Sequence, residues 1–428
     1  MRTAVVVGAG VGGLAAAGAL AKSGWQVTLL DRGNRLRGSG GAQLIWPNGA
    51  VALQALDVHL GDIAFALPAG GIRRPDGRWI VESVPGTVDP LAPYLDSVDT
   101  PPSPAVMPQP GTSQSGAPHA PFVVHADDLH DALMAGLGDK IEIRTGVEIT
   151  SVRTGEVDWP AVSTAKYTFQ GDLVVAADGA GSLIRRRLVP GAKVAPTGYT
   201  TWRAVIPWFR APKLGDAVPA AGEMLGVGMR FSHATLGERG TSGGSTRGGI
   251  YWMATAPGAL RPEPPAAQLT LLRRWFADWQ SPVAELLEAT EPDDLVPQPA
   301  GELRPVPAAF GFPVGGGGVV LLGDAAHVQA PTLAQGACLA FEDAATLGAL
   351  MRSAIPGGNI NLRLAEYTGA RRARVARIAR SSRRLDLLFQ AQGRLTVAAR
   401  DAALRRFSAR MLDRANAAAF EWAPPLAS

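Results

Sequence analysis

The chain has 428 residues, 46% of them hydrophobic and 18% charged, with a formal net charge of +4. That length suits two or three domains of ~100–200 residues, and the composition excludes a disordered chain. The charge excess is too small to indicate nucleic acid, and no run reaches the ~18 apolar residues of a membrane span.

A single cysteine, Cys338, excludes an intrachain disulfide and suits a reducing cytoplasm. Six scattered histidines lack metal-ligand spacing, so no metal is expected.

Residues 3–7, "TAVVV", read as a buried parallel strand. "GAGVGG" follows, then an Ala- and Leu-rich helix over 14–22 that Gly24 ends. "QVTLLD", 26–31, is a second strand, so the chain opens as a βαβ unit. The apolar start superficially resembles a leader peptide, but the glycine spacing and the lack of a polar cleavage region favour strand and helix.

In this unit Gly8 allows a tight turn, Gly10 lets a pyrophosphate approach the backbone, and Gly13 lets the helix lie close to the sheet. The helix start offers free N–H groups to phosphates, and Asp31 ends the second strand where an acid reaches a ribose hydroxyl. The unit therefore predicts dinucleotide binding without separating FAD from NAD.

Residues 85–121 are rich in Pro, Ser and Gly and lose apolar periodicity, so they read as a lid or a disordered insertion. "FVVHADDLHDALMAGL" reads as a strand running into a helix, followed by short strands in "IEIRTGVEITSVRT" and "KYTFQGDLVVAADG". From Tyr199 to Met253 an aromatic-rich, mostly antiparallel sheet is expected, with a Gly/Ser hairpin tip at 237–249. Helices over 266–280 and 283–289 come next, then a parallel strand in "GGGGVVLLGDAAH" and a helix from Ala334 to Met351. The basic tail "RRARVARIARSSRRLDLLF" reads as a helix with one packed apolar face (Val375, Ile378, Leu385, Leu388) and solvated arginines.

Two more apolar strands end in an acid: "GDLVVAADGAGSLIRRRL" at Asp178, and "VVLLGDAAH" at Gly323 and Asp324. Ligands gather at the carboxyl ends of parallel strands. Three acids so placed suggest one extended ligand, and FAD is long enough to touch them all.

"GAGVGG", "ADGAGSLIR" and "GDAAHVQAPTLAQGACLAFEDA", in this order, resemble the single-component FAD-dependent aromatic hydroxylases (group A flavoprotein monooxygenases). "TGYTTWRAVIP" and "YTGARRARVARIARSSRRL" are similar to the branch of salicylate- and urate-hydroxylase-like enzymes and epoxidases. The resemblance is poor in 60–120 and in the last 40 or so residues. It implies an α/β fold like that of p-hydroxybenzoate hydroxylase. The expected parts are a Rossmann-like FAD-binding domain (1–75, 120–195 and 300–355), an interleaved, mostly antiparallel substrate domain (76–119 and 196–299) and a C-terminal helical segment (356–428).

The resemblance further implies that Gly8, Gly10, Gly13, Asp31 and Arg32 hold the ADP half of FAD. Gly323 and Asp324 would take the ribityl chain, and Asp178 the junction of flavin and reductant. Pro331, Ala334, Gln335 and Gly336 would lie against the flavin ring, with no catalytic side chain because the cofactor carries the chemistry. NADH or NADPH would reduce the flavin transiently, and a C4a-hydroperoxide formed with O2 would hydroxylate or epoxidise a small aromatic or polycyclic substrate. His327 is expected to be structural. Candidate substrate contacts are Gln43, Trp202, Arg203, Met224, Met229, Tyr251 and Thr332. Other readings are a reductase or dehydrogenase without oxygen insertion, and a non-catalytic flavin-binding protein. The protein would be a monomer or homodimer, with no nucleic-acid partner.

Two positions depart from the family pattern. Ala126 stands where the family usually has Arg, with His125 or another Arg as a substitute. Ala334 stands where it prefers Gly, which is acceptable if the backbone keeps φ below zero.

Overall fold

A computed structural model describes residues 1–38, 40–67, 71–82, 121–155, 158–215, 218–237, 247–406 and 420–425. The expected lid or insertion at 85–121 lies outside these apart from Pro121, and so does most of the hairpin tip at 237–249.

The opening unit is as expected: β1 (Arg2–Val7), α1 (Val11–Lys22) and β2 (Trp25–Leu30), with β1 and β2 parallel. The chain continues through β3 (Ala42–Ile45), α2 (Pro47–Ala55), β4 (Ala64–Ala66), β5 (Ile72–Arg73) and β6 (Trp79–Val81). After the undescribed stretch come β7 (Phe122–His125), α3 (Ala126–Ala135), β8 (Ile141–Arg144), β9 (Ser151–Arg153), β10 (Ala161–Ser163), β11 (Thr168–Gln170), β12 (Leu173–Ala176) and α4 (Leu183–Leu188). The antiparallel run is β13 (Lys193–Ile206), β14 (Ala221–Leu225), β15 (Arg230–Thr235) and β16 (Ile250–Pro257), followed by α5 (Pro265–Trp275) and α6 (Val283–Ala289). The remainder is β17 (Val296–Arg304), β18 (Gly311–Val314), β19 (Gly317–Leu321), α7 (Asp324–His327), α8 (Gly336–Met351), α9 (Ile360–Phe389) and α10 (Arg394–Leu404).

A six-stranded sheet runs β18-β19-β12-β1-β2-β8, with every pair parallel except β18 with β19. Its central strands are buried on both faces, which is why they read as unbroken Val/Leu runs. Helices α1 and α8 cross closely on it, because a Cβ on Gly348 would come within 2.8 Å of the Ala19 Cβ. The seven-stranded sheet runs β17-β13-β16-β15-β14-β5-β6. One face packs on α5 and α6 through Trp202, Ala204, Ile206, Phe231 and Trp252. The opposite face meets the small β3-β7-β4 sheet through Tyr251, Met253, Ala42 and Val123.

Three expectations need correction. Helix α5 ends at Trp275 and not 280, because Trp279 folds back to put its ring 4.7 Å from that of Phe276. Helix α8 starts at Gly336, because Ala334 has φ +50° and a helix cannot pass through it. The tail is one 30-residue helix, α9, whose Leu364, Tyr367 and Val375 join the core of the six-stranded sheet. Its arginines are not all solvated: Arg371 and Arg374 are buried, and Leu388 is exposed.

Candidate active site

The paired register sets the site. Val7 lies opposite both Leu30 and Ala176, and Ala176 lies opposite Leu321. Four parallel strands therefore stop level, and their next residues carry Asp31, Asp178 and Asp324 along one edge. From β19 to β2 that edge spans three strand spacings, about 14 Å.

At the first strand end, Gly8 has φ +102°, and a Cβ there would meet the Ala177 carbonyl oxygen at 2.3 Å. A Cβ on Gly13 would strike the Gly8 carbonyl oxygen at 1.8 Å, so the chain's own packing requires both glycines. Gly10 differs, since a Cβ there would meet nothing within 4 Å. Its bareness leaves open space before the start of α1, which fits a phosphate approaching the backbone. Asp31 accepts from Ala9 N at 2.8 Å and from Gly33 N at 2.7 Å, which fastens the glycine loop. Arg32 beside it is exposed.

Asp178 uses Oδ2 to accept from Leu183 N at 2.8 Å at the start of α4. Its Oδ1 is buried without a partner among the described residues. Buried Arg185 joins the second and third strand ends: Nη1 donates to the Asp324 and Ala325 carbonyls at 3.3 Å each, and Nη2 to that of Ala180 at 2.6 Å.

Asp324 opens α7 after the left-handed turn at Gly323, φ +59°. Its carboxylate accepts no hydrogen bond among the described residues, and the residue is exposed. The protein wrapped around it still pushes its carboxyl up, against the pull of His327, Arg185 and Arg203. An unpartnered acid at the strand edge fits a ligand hydroxyl. A Cβ on Gly336 would stay 3.9 Å from Asp324 Oδ1, so packing does not demand that glycine either. The residues present thus fit an extended dinucleotide.

The loop between α7 and α8 holds Pro331 and Thr332 in a turn, with Ala334 N donating to the Pro331 carbonyl at 2.9 Å. Ala334 does not keep φ below zero as its side chain would prefer; it occupies the left-handed region that glycine tolerates freely. The Gln335 side chain turns inward to Asn48, whose Nδ2 donates to Gln335 Oε1 at 2.8 Å and to Glu342 Oε1 at 2.7 Å. His327 is structural: its Nε2 lies 2.6 Å from Asp343 Oδ2, an oxygen that also accepts from Gly323 N at 3.0 Å. Arg371 donates to Asp343 and Glu342 at 2.6 Å each, and Arg374 donates twice to Glu342 at 2.6 Å.

The substrate candidates divide between faces. Trp202, Met224 and Met229 pack on the α5–α6 side, where Trp202 Nε1 donates to Gln268 Oε1 at 2.7 Å. Trp202 and Met224 are core, turned by strand alternation toward those helices, and half-buried Met229 packs against them. Arg203 and Tyr251 share the other face, both beside Gly41. Arg203 Nη2 donates to Gln298 Oε1 at 2.9 Å, while its Nε is buried and unpartnered among the described residues. Burial pushes the Tyr251 hydroxyl pKa up, with Arg203 and Arg230 opposing. Gln43 alternates out of step with Ala42 and Leu44, which pack against Tyr251. Thr332 donates to Asp386 Oδ1 at 2.6 Å, and so does the Tyr199 hydroxyl, which ties the loop and the sheet to α9. Ala126 is buried, its N–H donating to the Gly41 carbonyl at 3.0 Å, and His125 Nδ1 is spent accepting from Asp127 N at 3.1 Å.

Asn48, Asp386 and the cluster of Glu342, Asp343, Arg371 and Arg374 were not singled out from the sequence. The available signal was an adjacent acid pair, "ED", inside the otherwise apolar helix at 336–351.

Residues 6–45 match the NAD(P)-binding Rossmann-like domain family, and 279–382 match the FAD binding domain family. The chain is 30% identical over 361 residues to the 2-heptyl-3-hydroxy-4(1H)-quinolone synthase of Pseudomonas aeruginosa, covering 81% of this chain and 80% of that protein. It belongs to the FAD-dependent monooxygenases. Other relatives of this family are the aurachin C monooxygenase/isomerase of Stigmatella aurantiaca, 29% identical (81% and 79% covered), and the FAD-dependent urate hydroxylase of Klebsiella pneumoniae, 28% identical (87% and 86%). Among solved structures, Klebsiella pneumoniae HpxO complexed with FAD and uric acid superposes with a TM-score of 0.74 at 24% identity, covering 98% of this chain and 96% of that one. As an FAD-dependent monooxygenase the protein uses FAD and a nicotinamide reductant. No described helix is long and apolar enough to cross a membrane.

Proposed function

We propose that this monooxygenase hydroxylates or epoxidises a planar aromatic or heteroaromatic molecule with an apolar substituent, using O2 and either NADH or NADPH. The observation that carries this reading is the level row of strand ends with Asp31, Asp178 and Asp324 on one edge, with Arg203 of the second sheet near enough for its charge to act on Asp324. The quinolone and urate in the relatives' names are planar heteroaromatic molecules of this kind.

In this reading Gly8, Gly10, Gly13, Asp31 and Arg32 hold the ADP half. Asp324 and Gly323 take the ribityl chain, and Asp178 with its loop shapes the reductant's approach. Pro331, Ala334, Gln335 and Gly336 present backbone to the ring, where the start of α8 favours negative charge. The bound isoalloxazine supplies the oxygen-activating chemistry. Tyr251, Met253 and Val205 exclude water, while Arg203 orients the substrate's polar edge. The cofactor unit is built on the six-stranded sheet, with α9 packed against it, and the substrate unit on the seven-stranded sheet that runs from β17 to β6. The buried thiol of Cys338 suits the cytoplasm.

Asp324→Ala tests the site. FAD content of the purified protein should fall at least several-fold, and full occupancy would remove the role given to that carboxylate. A screen of alkylquinolones, purines and simple phenols for faster NAD(P)H oxidation under labelled oxygen tests the substrate class. Consumption of reductant without label in any product would favour a reductase.

A further inference from the structure

Helix α2 carries an asparagine that no part of the proposed cofactor contact uses. Asn48 is fully buried at the second position of that helix. The crossing with α8 is tight, since a Cβ on Gly49 would lie 2.6 Å from Cys338 Sγ. Asn48 Nδ2 donates at once to Gln335 Oε1, 2.8 Å, and to Glu342 Oε1, 2.7 Å, while Gln335 Nε2 donates back to Asn48 Oδ1 at 3.4 Å.

The direction of these bonds is forced. Glu342 is held by both Arg371 and Arg374, so its carboxylate can only accept. The Asn48 amide must therefore turn its NH2 toward Glu342, and the Gln335 carbonyl must face Asn48. Gln335 sits immediately before α8 and immediately after Ala334, the residue held in the left-handed region. Its rotamer and the first N–H groups of α8 are thus set from beneath by a chain running Gln335, Asn48, Glu342, Arg371. Every residue in that chain is at least 99% buried.

We infer that Asn48 is a positioning residue for the flavin-facing start of α8, acting through Gln335 and anchored by the Glu342–Arg371–Arg374 cluster. This rests on the flavin ring lying against 331–336, as proposed above. The residue touches no cofactor itself. It holds the amides that stabilise negative charge on reduced flavin in one orientation. A glutamine freed from Asn48 leaves a buried amide unpaired, and the loop relaxes to satisfy it.

The test uses the full-length holoprotein and needs no substrate. Asn48→Ala, the isosteric Asn48→Asp, Gln335→Ala and the double Asn48→Ala/Gln335→Ala are compared with wild type. Two quantities are read: FAD release on dilution, followed by flavin fluorescence, and the midpoint potential of the bound flavin. Both Asn48 variants should hold FAD about tenfold more weakly, and their midpoints should move to more negative values. The double variant should be no worse than the weaker single one, because the two residues act as one link. Asn48→Asp keeps the shape but cannot donate to Glu342 as a carboxylate, so its defect should grow as pH rises. FAD affinity and midpoint unchanged in both Asn48 variants, with only a lower melting temperature, would leave a structural role and overturn the inference. Effects that multiply in the double variant would overturn it as well. Should Asn48→Ala fail to fold, Asn48→Asp and Gln335→Ala decide. Failure of the underlying site reading shows separately, as retained FAD in Asp324→Ala.

Discussion

Replacing Arg371 with Met removes one cation from a cluster of two acids and two arginines beneath the loop before α8. Arg371 is 1% exposed and donates to Asp343 Oδ1 and Glu342 Oε2 at 2.6 Å each, and to the Leu339 carbonyl at 3.3 Å. Methionine keeps much of the apolar stem, so the loss is mainly the charge and its three bonds. Asp343 Oδ1 would then have no donor among the described residues, while Glu342 would keep Arg374 and Asn48. Breaking a buried pair on one side costs about 3–5 kcal/mol. With an unfolding entropy of ~2.1 cal/mol/K per residue, a chain of 428 residues loses about 1 °C of Tm for each 0.9 kcal/mol. The Tm of the holoprotein, followed by far-ultraviolet circular dichroism at pH 7, should therefore fall by about 3–6 °C. A fall under about 1 °C, or a rise, would show that the cluster does not carry this loop, and the argument from buried charge would fail.

Ala334→Gly should stabilise the protein. A left-handed residue with a Cβ costs ~1–2 kcal/mol, and glycine's extra freedom in the unfolded chain returns ~0.4–1 of it. Scanning calorimetry should therefore show a rise in Tm of about 1 °C, and a lower Tm would mean that Ala334 is not left-handed. Acid should destabilise the fold through Asp343. Burial pushes its carboxyl up, but His327 and Arg371 pull it further down, to about 2 from an ordinary 3.8. Its contribution, about 2 kcal/mol, is therefore full above the ordinary value and is lost as pH falls toward 2. Urea midpoints between pH 5 and pH 2 should show this limb, and Asp343→Asn should lack it.

The βαβ opening and the three acid-tipped strands were legible because parallel strands buried on both faces leave unbroken apolar runs. Gly13 was legible because its close contact is the nearby Gly8 backbone, and Gly8 because the tight turn itself needs a positive φ; the Ala177 carbonyl that also excludes a Cβ at Gly8 comes from a distant strand. The aromatic sheet was recognisable as a sheet, but not which of its faces packs on helices and which on the small sheet. Trp202 and Arg203 are neighbours in sequence and point to opposite sides, and only the pairing of β13 with β16 and the helices on one face decides between them. Asn48 and Glu342 are 294 positions apart in the chain, and Glu342 and Arg374 are 32 apart.

By itself, then, the order of residues determined the acid-tipped strands and the glycine turn after the first of them, since periodicity and turn chemistry are local. Tertiary structure alone decided which arginines are buried, which aromatics are core, and how Asn48 reaches the loop before α8. Those depend on side chains brought together from distant elements, and an arginine reads the same in a sequence whether water or a buried carboxylate surrounds it.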